Sequence, residues 1–440
     1  MTSPASGPGR AASFDPRPLS GIRICLVFEY SLSHSTRYRQ EIKALQDAGA
    51  TVQLLTSHSL PEPAPRGVER TIAPIETPSR VPAMIPTSRI AWRPLRVADD
   101  FARRVLRAIA ARLEPRGRAR TVALGSLVRR VDLFWVSDYL SLPAVMKATQ
   151  GKRARVLYET IDLVPEFRYE GERYRRRLLR GERRLIGKVN GFVTACDSYA
   201  DYYMEKYGDG ILKRRPVVRS DMPDHIAPHP RPASRPLRIL FLGALMFDRP
   251  VTELIEAFGL TSADVTLTFQ GNNQLGEEPE RRIRQSKVDH KVRILEPCAP
   301  DKVVEAAWDY DVGIVALRGQ DENERRASTT KLFTYMSAGL AVLGSDLPGI
   351  AGVVNAHRNG VLVKGMDPKA WAAAVDELAA LAGSEIDAMK KRSLDAAHEY
   401  SWERQKPRFI AEFLSALGRD DEARRAPAET STAFRAASPR

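Results

Sequence analysis

Short apolar runs alternate with amphipathic ones along most of the chain. Residues 22–29 are rich in Ile, Val, Leu and Phe and predict a strand. A polar stretch follows, and then 36–48 places Ile42, Leu45 and Ala48 on one side of a helix that Gly49 stops. Residues 51–55 read as the next strand. Strand, helix, strand at this spacing predicts a βαβ unit and hence a parallel sheet. The alternation recurs, with strands at 131–136, 155–158 and 191–195 and helices at 142–149, 167–189 and 198–207. Residues 59–95 hold many prolines and no clear period, which predicts short strands and loops.

A Pro/Arg/Ser-rich stretch at 225–235 reads as a linker. A second series begins beyond it, with strands at 237–243, 266–271, 292–295, 312–316, 341–344 and 360–363. Helices are predicted at 251–258, 301–308, 368–381, 383–400 and 402–417. The pattern predicts an α/β protein of two doubly wound, Rossmann-like domains facing each other across a cleft. Ligands of such sheets bind outside the C-terminal strand ends. The expected division is a loose tail at 1–20, an N-terminal domain at 21–228, a linker at 229–236, a C-terminal domain at 237–400, a terminal helix at 401–418 and a second loose tail at 419–440.

Composition narrows the partners. The 440 residues carry a formal charge of +14, which favours a polyanionic neighbour. No zinc-finger spacing or basic zipper is present, so sequence-specific nucleic-acid reading is not expected. The densest basic run, 168–184, has acids among its arginines and reads either as a solvated, salt-bridged face or as a patch resting on anionic lipid. The three cysteines, Cys25, Cys196 and Cys298, suggest neither a disulfide framework nor a metal knot. No 18-residue apolar run and no signal-peptide core occur, which predicts a cytoplasmic protein with, at most, peripheral contact at the inner membrane surface.

The candidate chemistry lies at 325–349. Ser328, Thr329 and Thr330 run into a helix beginning Lys331-Leu332-Phe333-Thr334-Tyr335-Met336, stopped by Gly339 and followed by a buried strand and a Gly-rich turn. The first turn of a helix offers unpaired N–H groups and a positive dipole end, and Thr329 or Thr330 can cap it. A lysine there opposes the dipole unless an anion docks beside it. Upstream, Gly243 ends a strand and permits close backbone approach, and Arg249 can clamp a phosphate. Asn272 and Asn273 follow the next strand and are candidates to line a nucleotide pocket. On the N-terminal side the strand-end candidates are Ser33, His34, Arg37, Arg39, Glu159 and Asp162.

The segment 331–339, with Ser345-Asp346-Leu347-Pro348-Gly349, Asn359-Gly360-Val361 and Ser401-Trp402-Glu403, resembles the GT-B glycosyltransferases, specifically the large retaining family 4, over about residues 21–418. The resemblance implies transfer of a sugar from a nucleoside diphosphate sugar to an acceptor hydroxyl with retention of configuration. The acceptor would be a small molecule or a lipid-linked saccharide, and the setting polysaccharide, glycolipid or metabolite glycosylation. No cofactor is implied, and without an Asp-x-Asp motif no metal. It also implies donor contacts from Gly243, Asn272, Asn273, Thr330, Leu332 and Thr334, leaving-group stabilisation by Arg249 and Lys331, and acceptor contacts from His34, Arg37, Glu159 and Asp162. Three positions depart from the family pattern, one of them Ala244, where an arginine often follows the glycine. Thr334 stands where a glutamate usually holds the ribose, and Arg326 stands where a glutamate faces the sugar. Glu322 or Glu324 can replace the latter if the loop shifts. The departures also fit a non-catalytic relative that binds nucleotide sugar or serves as a scaffold. A third reading, a sugar-nucleotide epimerase, has no distinct signature here.

Overall fold

The computed structural model describes residues 17–28, 36–56, 67–72, 124, 127–137, 139–168 and 172–425. The N-terminal half builds β1 (Arg23–Phe28), α1 (Thr36–Asp47), β2 (Thr51–Thr56), β3 (Glu69–Ile72), β4 (Leu133–Val136) and α2 (Leu142–Thr149). It continues with β5 (Arg155–Thr160), α3 (Glu172–Leu185), β6 (Gly191–Thr194), α4 (Asp197–Tyr207) and β7 (Val217–Val218). The strands form one sheet in the order β3-β2-β1-β4-β5-β6-β7, all parallel. Ile24 pairs with Val52 on one side and Leu133 on the other.

The C-terminal half contains β8 (Leu237–Leu242), α5 (Val251–Leu260), β9 (Val265–Gln270), α6 (Glu278–Gln285), β10 (Val292–Leu295), α7 (Val303–Ala307), β11 (Val312–Val315) and α8 (Glu322–Arg326). After these come α9 (Thr330–Ser337), β12 (Ala341–Ser345), α10 (Pro348–His357), β13 (Gly360–Val363), α11 (Pro368–Ala380), α12 (Gly383–Glu399), α13 (Trp402–Ala416) and α14 (Asp420–Arg425). Its sheet runs β10-β9-β8-β11-β12-β13, again parallel.

Both sheets are covered on both faces, as parallel sheets require. In the N-terminal sheet Phe134, Tyr158 and Tyr203 pack on one side, and Leu26, Trp135 and Leu157 on the other. The second side is closed by α13. The Trp135 ring meets Phe409 and Phe413 edge-on at 5.9 and 5.6 Å, and Glu412 accepts a hydrogen bond from the Phe192 amide at 2.7 Å. The chain thus returns from the second half to the first.

Several expectations are corrected. Residues 17–20 are not a loose tail, because Leu19 is fully buried and its amide bonds the Ala48 carbonyl. Residues 420–425 form α14, although 419–440 read as a tail. The Gly-rich turn after β12 is instead the start of α10, opened by Pro348, whose fixed φ suits the first helical position. The helix expected over 167–189 runs over Glu172–Leu185, with a 3₁₀ turn before it at Val164–Glu166 and another after it at Ile186–Lys188. Residues 59–66 and 73–95, the far tails, Ser33 and His34 lie outside the described residues. Among the described residues no helix is long and apolar enough to cross a membrane.

Candidate functional site

The end of β8 and the start of α9 are built against each other. Tyr335, on the buried face of α9, accepts a hydrogen bond from the Leu242 amide at 2.8 Å. Its ring lies where any side chain at Gly313 of β11 would fall. This fixes the helix to the strand ends, and its N-terminus comes up beside Gly243. A Cβ at Gly243 would lie 2.8 Å from Lys331 Cε and 3.3 Å from Nζ, and the residue has φ +121°, so glycine is required twice over. Gly271, ending β9, has no room either, because a Cβ there would overlap the Gly243 backbone.

Lys331 is therefore held beneath a glycine turn. Its Nζ sits 4.0 Å from the centroid of the buried Phe241 ring, a cation–π contact. It has no hydrogen bond or ion pair among the described residues. Burial pushes its pKa down to about 7, Arg249 pushes the same way, and Asp248 opposes them. Two cations are thus brought together at one strand end, flanked by Asp248, whose Oδ1 lies 3.8 Å from Arg249 Nε. Arg249 also acts across the cleft. Its charge favours the ionised form of Asp162, beyond β5, whose pKa burial raises. Phe247, 85% exposed, projects from the loop that carries Arg249.

The amino end of α9 is half-satisfied. Thr329 occupies the N-cap position without a capping bond, and its Oγ1 is buried with no hydrogen-bond partner among the described residues. The Leu332 amide bonds the Thr329 carbonyl at 3.0 Å, leaving the Thr330 and Lys331 amides as the outward donors. The Thr330 hydroxyl donates to Asp221 Oδ2 at 2.7 Å. Asp221 lies on the segment crossing between the halves, between Arg219, anchored on α1 through Gln40, and Met222, buried in the C-terminal core. An acid thus stands beside the helix end, bonded to the hydroxyl and to neither outward amide.

Other candidates are placed elsewhere. Thr334 is 2% exposed and its hydroxyl donates to the Thr330 carbonyl at 3.0 Å, so its hydrogen is spent within its own helix and is not offered to a ribose. Leu332 is fully buried. The Asn273 amide closes a local turn, accepting from the Leu275 amide and donating to the Gly276 carbonyl, whereas Asn272 is exposed. Both glutamates of α8 are held by groups close in sequence. Glu322 pairs with Arg325 and Arg326, and Glu324 accepts from the Gln320 amide at 2.7 Å and the Arg318 amide at 3.4 Å.

Arg37 and Glu159 are corrected most sharply. They are 1% and 0% exposed and paired with each other, so they cannot line an acceptor surface. Glu159 also accepts from Trp135 Nε1 at 2.7 Å. Arg37 and Arg219 each reach Glu41 Oε1 at 3.1 Å, although outside hydrogen-bond geometry. Burial lowers the Arg37 pKa, but Glu159 and Glu41 outweigh it and hold it raised. Burial and Glu159 push Glu41 up to about 8. Arg39 is exposed on α1.

The loop around α8 joins the halves. Asn323 accepts from the Leu163 amide (2.7 Å) and Tyr199 Oη (2.6 Å) and donates to Asp162 (3.3 Å). Asp321 accepts from the Arg168 amide at 2.9 Å. Arg326 pairs with Glu205 of α4 at 2.7 Å and lies over the Tyr202 ring. Asn323, Tyr335 and Asp221 were not singled out in the sequence. Only Tyr335 lay inside a motif, and no local spacing marks the other two.

Two parallel, helix-covered sheets facing each other define the GT-B fold, and solved structures agree. Anabaena HepE in complex with UDP is similar with a TM-score of 0.63 at 13% identity, over 90% of this chain and 100% of that one. Sucrose-phosphate synthase from Thermosynechococcus elongatus gives 0.60 at 13% identity, over 90% and 99%. A glycosyltransferase from Rickettsia africae gives 0.55 at 14% identity, over 91% and 97%. The family model Glycosyl transferases group 1 matches residues 236–380, the half that carries Gly243, Arg249 and Lys331. No curated protein matches the chain by sequence.

Proposed function

We propose that this chain is a glycosyltransferase that moves a sugar from a nucleoside diphosphate sugar to an acceptor hydroxyl with retention of configuration. The observation that carries the proposal is Lys331, a cation held under Gly243 at a strand end, next to Arg249 and without an ion-pair partner among the described residues. Such an arrangement costs stability, and a diphosphate relieves it. The match to the group 1 glycosyl transferases covers this half, and HepE of the same fold has been crystallised with UDP and with UDP-glucose.

In the proposed reaction the bond from the anomeric carbon to the diphosphate breaks while negative charge grows on the leaving oxygen, a bond from that carbon to the acceptor oxygen forms on the same face, and the acceptor's proton passes to the departing diphosphate. Lys331, Arg249 and the Thr330 and Lys331 amides stabilise that charge more in the transition state than in the ground state. Asp162, which faces Arg249 from the N-terminal half, is the acceptor-side group proposed to contact the incoming hydroxyl. The acceptor is proposed to be a small-molecule or lipid-linked saccharide, in polysaccharide, glycolipid or metabolite glycosylation. The proposed setting is the cytoplasm, at the inner membrane surface.

Arg326 and Thr334 favour a second reading, a nucleotide-sugar binder without turnover, because both side chains are tied to other partners. Thermal-shift screening against nucleotide sugars, followed by product detection with candidate acceptors, separates the two. Stabilisation with turnover supports transfer, and stabilisation without turnover supports the binder. No stabilisation by any nucleotide sugar refutes both.

A further inference from the structure

The arginines of α3 are sorted by face. Arg173, Arg176, Arg177, Arg180, Arg183 and Arg184 are all exposed. Their spacing of three, four and seven residues puts them in one stripe along the helix. Two of the nearby acids are turned away from it. Glu182 is buried on the opposite face, accepting from Tyr203 Oη at 2.9 Å and Tyr207 Oη at 2.6 Å. Glu166, just upstream, takes Arg175 and Lys206. Among the described residues only Arg176 of the six has an ion pair, with exposed Glu172 at 3.6 Å. A salt-bridged, solvated face is therefore not what the fold builds. It uses Glu182 and Glu166 inside and leaves six like charges in a row about 16 Å long, with exposed Glu172 beside only one of them, an arrangement that opposes its own helix unless an anion covers it.

One rim of the stripe is apolar. Tyr174 is 42% exposed and Leu140 is 53% exposed. The hydroxyl of neighbouring Tyr139 donates to the Leu178 carbonyl at 2.6 Å, which sets the 139–140 turn against α3. Leu178 and Tyr174 lie one turn apart on the helix, so the turn and the tyrosine share a rim. Cations on a convex helix beside exposed apolar groups suit an interface of phosphate headgroups over acyl chains. A nucleic-acid strand would instead favour a basic groove with aromatic platforms. The segment entering α3 starts at the cleft, where Arg168 bonds Asp321 and Gln320.

We infer that the exposed face of α3, with the 139–140 turn, docks this protein on an anionic phospholipid bilayer and so sets the cleft mouth beside the membrane. The inference does not depend on the chemistry proposed for the cleft. The test is cosedimentation of the full chain with vesicles of equimolar phosphatidylglycerol and phosphatidylcholine, against phosphatidylcholine alone. Each basic residue near an anionic surface strengthens partitioning about fivefold. The variant R176Q/R180Q/R183Q should therefore bind roughly a hundredfold more weakly, with a thermal midpoint no lower than the parent's, because all three positions are exposed and like-charge repulsion is relieved. A control of equal charge loss on the other half, R281Q/K302Q/K391Q, should stay within a few-fold of the parent. The inference is overturned if the parent chain does not sediment with anionic vesicles. Equal weakening by both variants also overturns it, since that shows only diffuse net charge. So does tighter binding to duplex RNA than to vesicles at matched phosphate, which assigns the stripe to a nucleic acid.

Discussion

Lys331→Met should make the ligand-free protein more stable while weakening nucleotide binding. The lysine pKa falls from 10.5 to about 7 in the fold. At 1.36 kcal/mol per unit that drop corresponds to about 5 kcal/mol opposing the ammonium, and screening by solvent at this partly open site reduces it to a few kcal/mol. A base with a depressed folded pKa leaves the folded state with fewer bound protons than the unfolded state between the two values. Stability therefore rises with pH from about 7 to 10.5, and the full penalty is present below 7. Methionine keeps the stem against Phe241 and removes the penalty, so the thermal midpoint at pH 7 should rise. A diphosphate restores the lysine proton. Below about 7 the charge is already in place, whereas above it binding must take up a proton, and affinity should fall by up to tenfold per pH unit. The window from pH 7 to 9 avoids protonation of the phosphate itself, whose second pKa is about 6. Loss of one charge-assisted contact of about 1.5–3 kcal/mol should weaken UDP binding roughly ten- to a hundredfold and flatten the pH dependence. Titration calorimetry at three pH values, in buffers of different ionisation enthalpy, reads affinity and proton uptake together. A lower midpoint in Lys331→Met, with UDP affinity and its pH slope unchanged, would refute the reasoning.

Three further outcomes follow from the same geometry. Gly243→Ala introduces a Cβ 2.8 Å from Lys331 Cε at φ +121°, so it should displace the lysine and lower UDP affinity about tenfold, the loss of a single good contact; parent-like calorimetric titrations would contradict that placement. Asp221→Asn removes the acid beside the α9 terminus and should tighten UDP binding about two- to fivefold, the size of a charge effect at a helix end; unchanged or weaker binding would count against competition between this carboxylate and the diphosphate. Arg37→Met leaves Glu159 and Glu41 buried around a lost cation and should cost about 3–5 kcal/mol of stability, read as a depressed unfolding midpoint; a stable variant that has lost only acceptor affinity would return Arg37 to the acceptor site.

The layer architecture was legible because it depends on local pattern. Runs such as Leu237–Leu242 and Ala341–Ser345 are buried on both faces, and their apolar continuity shows in the chain itself. Lys331 was legible for a related reason: a cation in a first helical turn is a local anomaly that asks for an anion. Arg37 and Glu159 were not, since a strand-end acid facing the sheet and one facing a cleft have the same sequence, and their pairing spans 122 residues. The roles of Arg326 and Asn323 are likewise fixed by partners in the other half. Glu322 and Glu324 misled because their neighbours in sequence, Arg326 and the 318–320 amides, claim them first. The arginine run of α3 needed the structure to show which face its acids take.

The most direct test of the diphosphate site is a crystal structure of the full chain grown with UDP at saturating concentration. The β-phosphate is predicted to lie between Lys331 Nζ and Arg249, with oxygens about 3 Å from the ammonium and from the Lys331 amide, and with the Asp221 carboxylate moved off Thr330. UDP bound away from β8 and α9, or a diphosphate that leaves Lys331 against Phe241 with no phosphate contact, would contradict it.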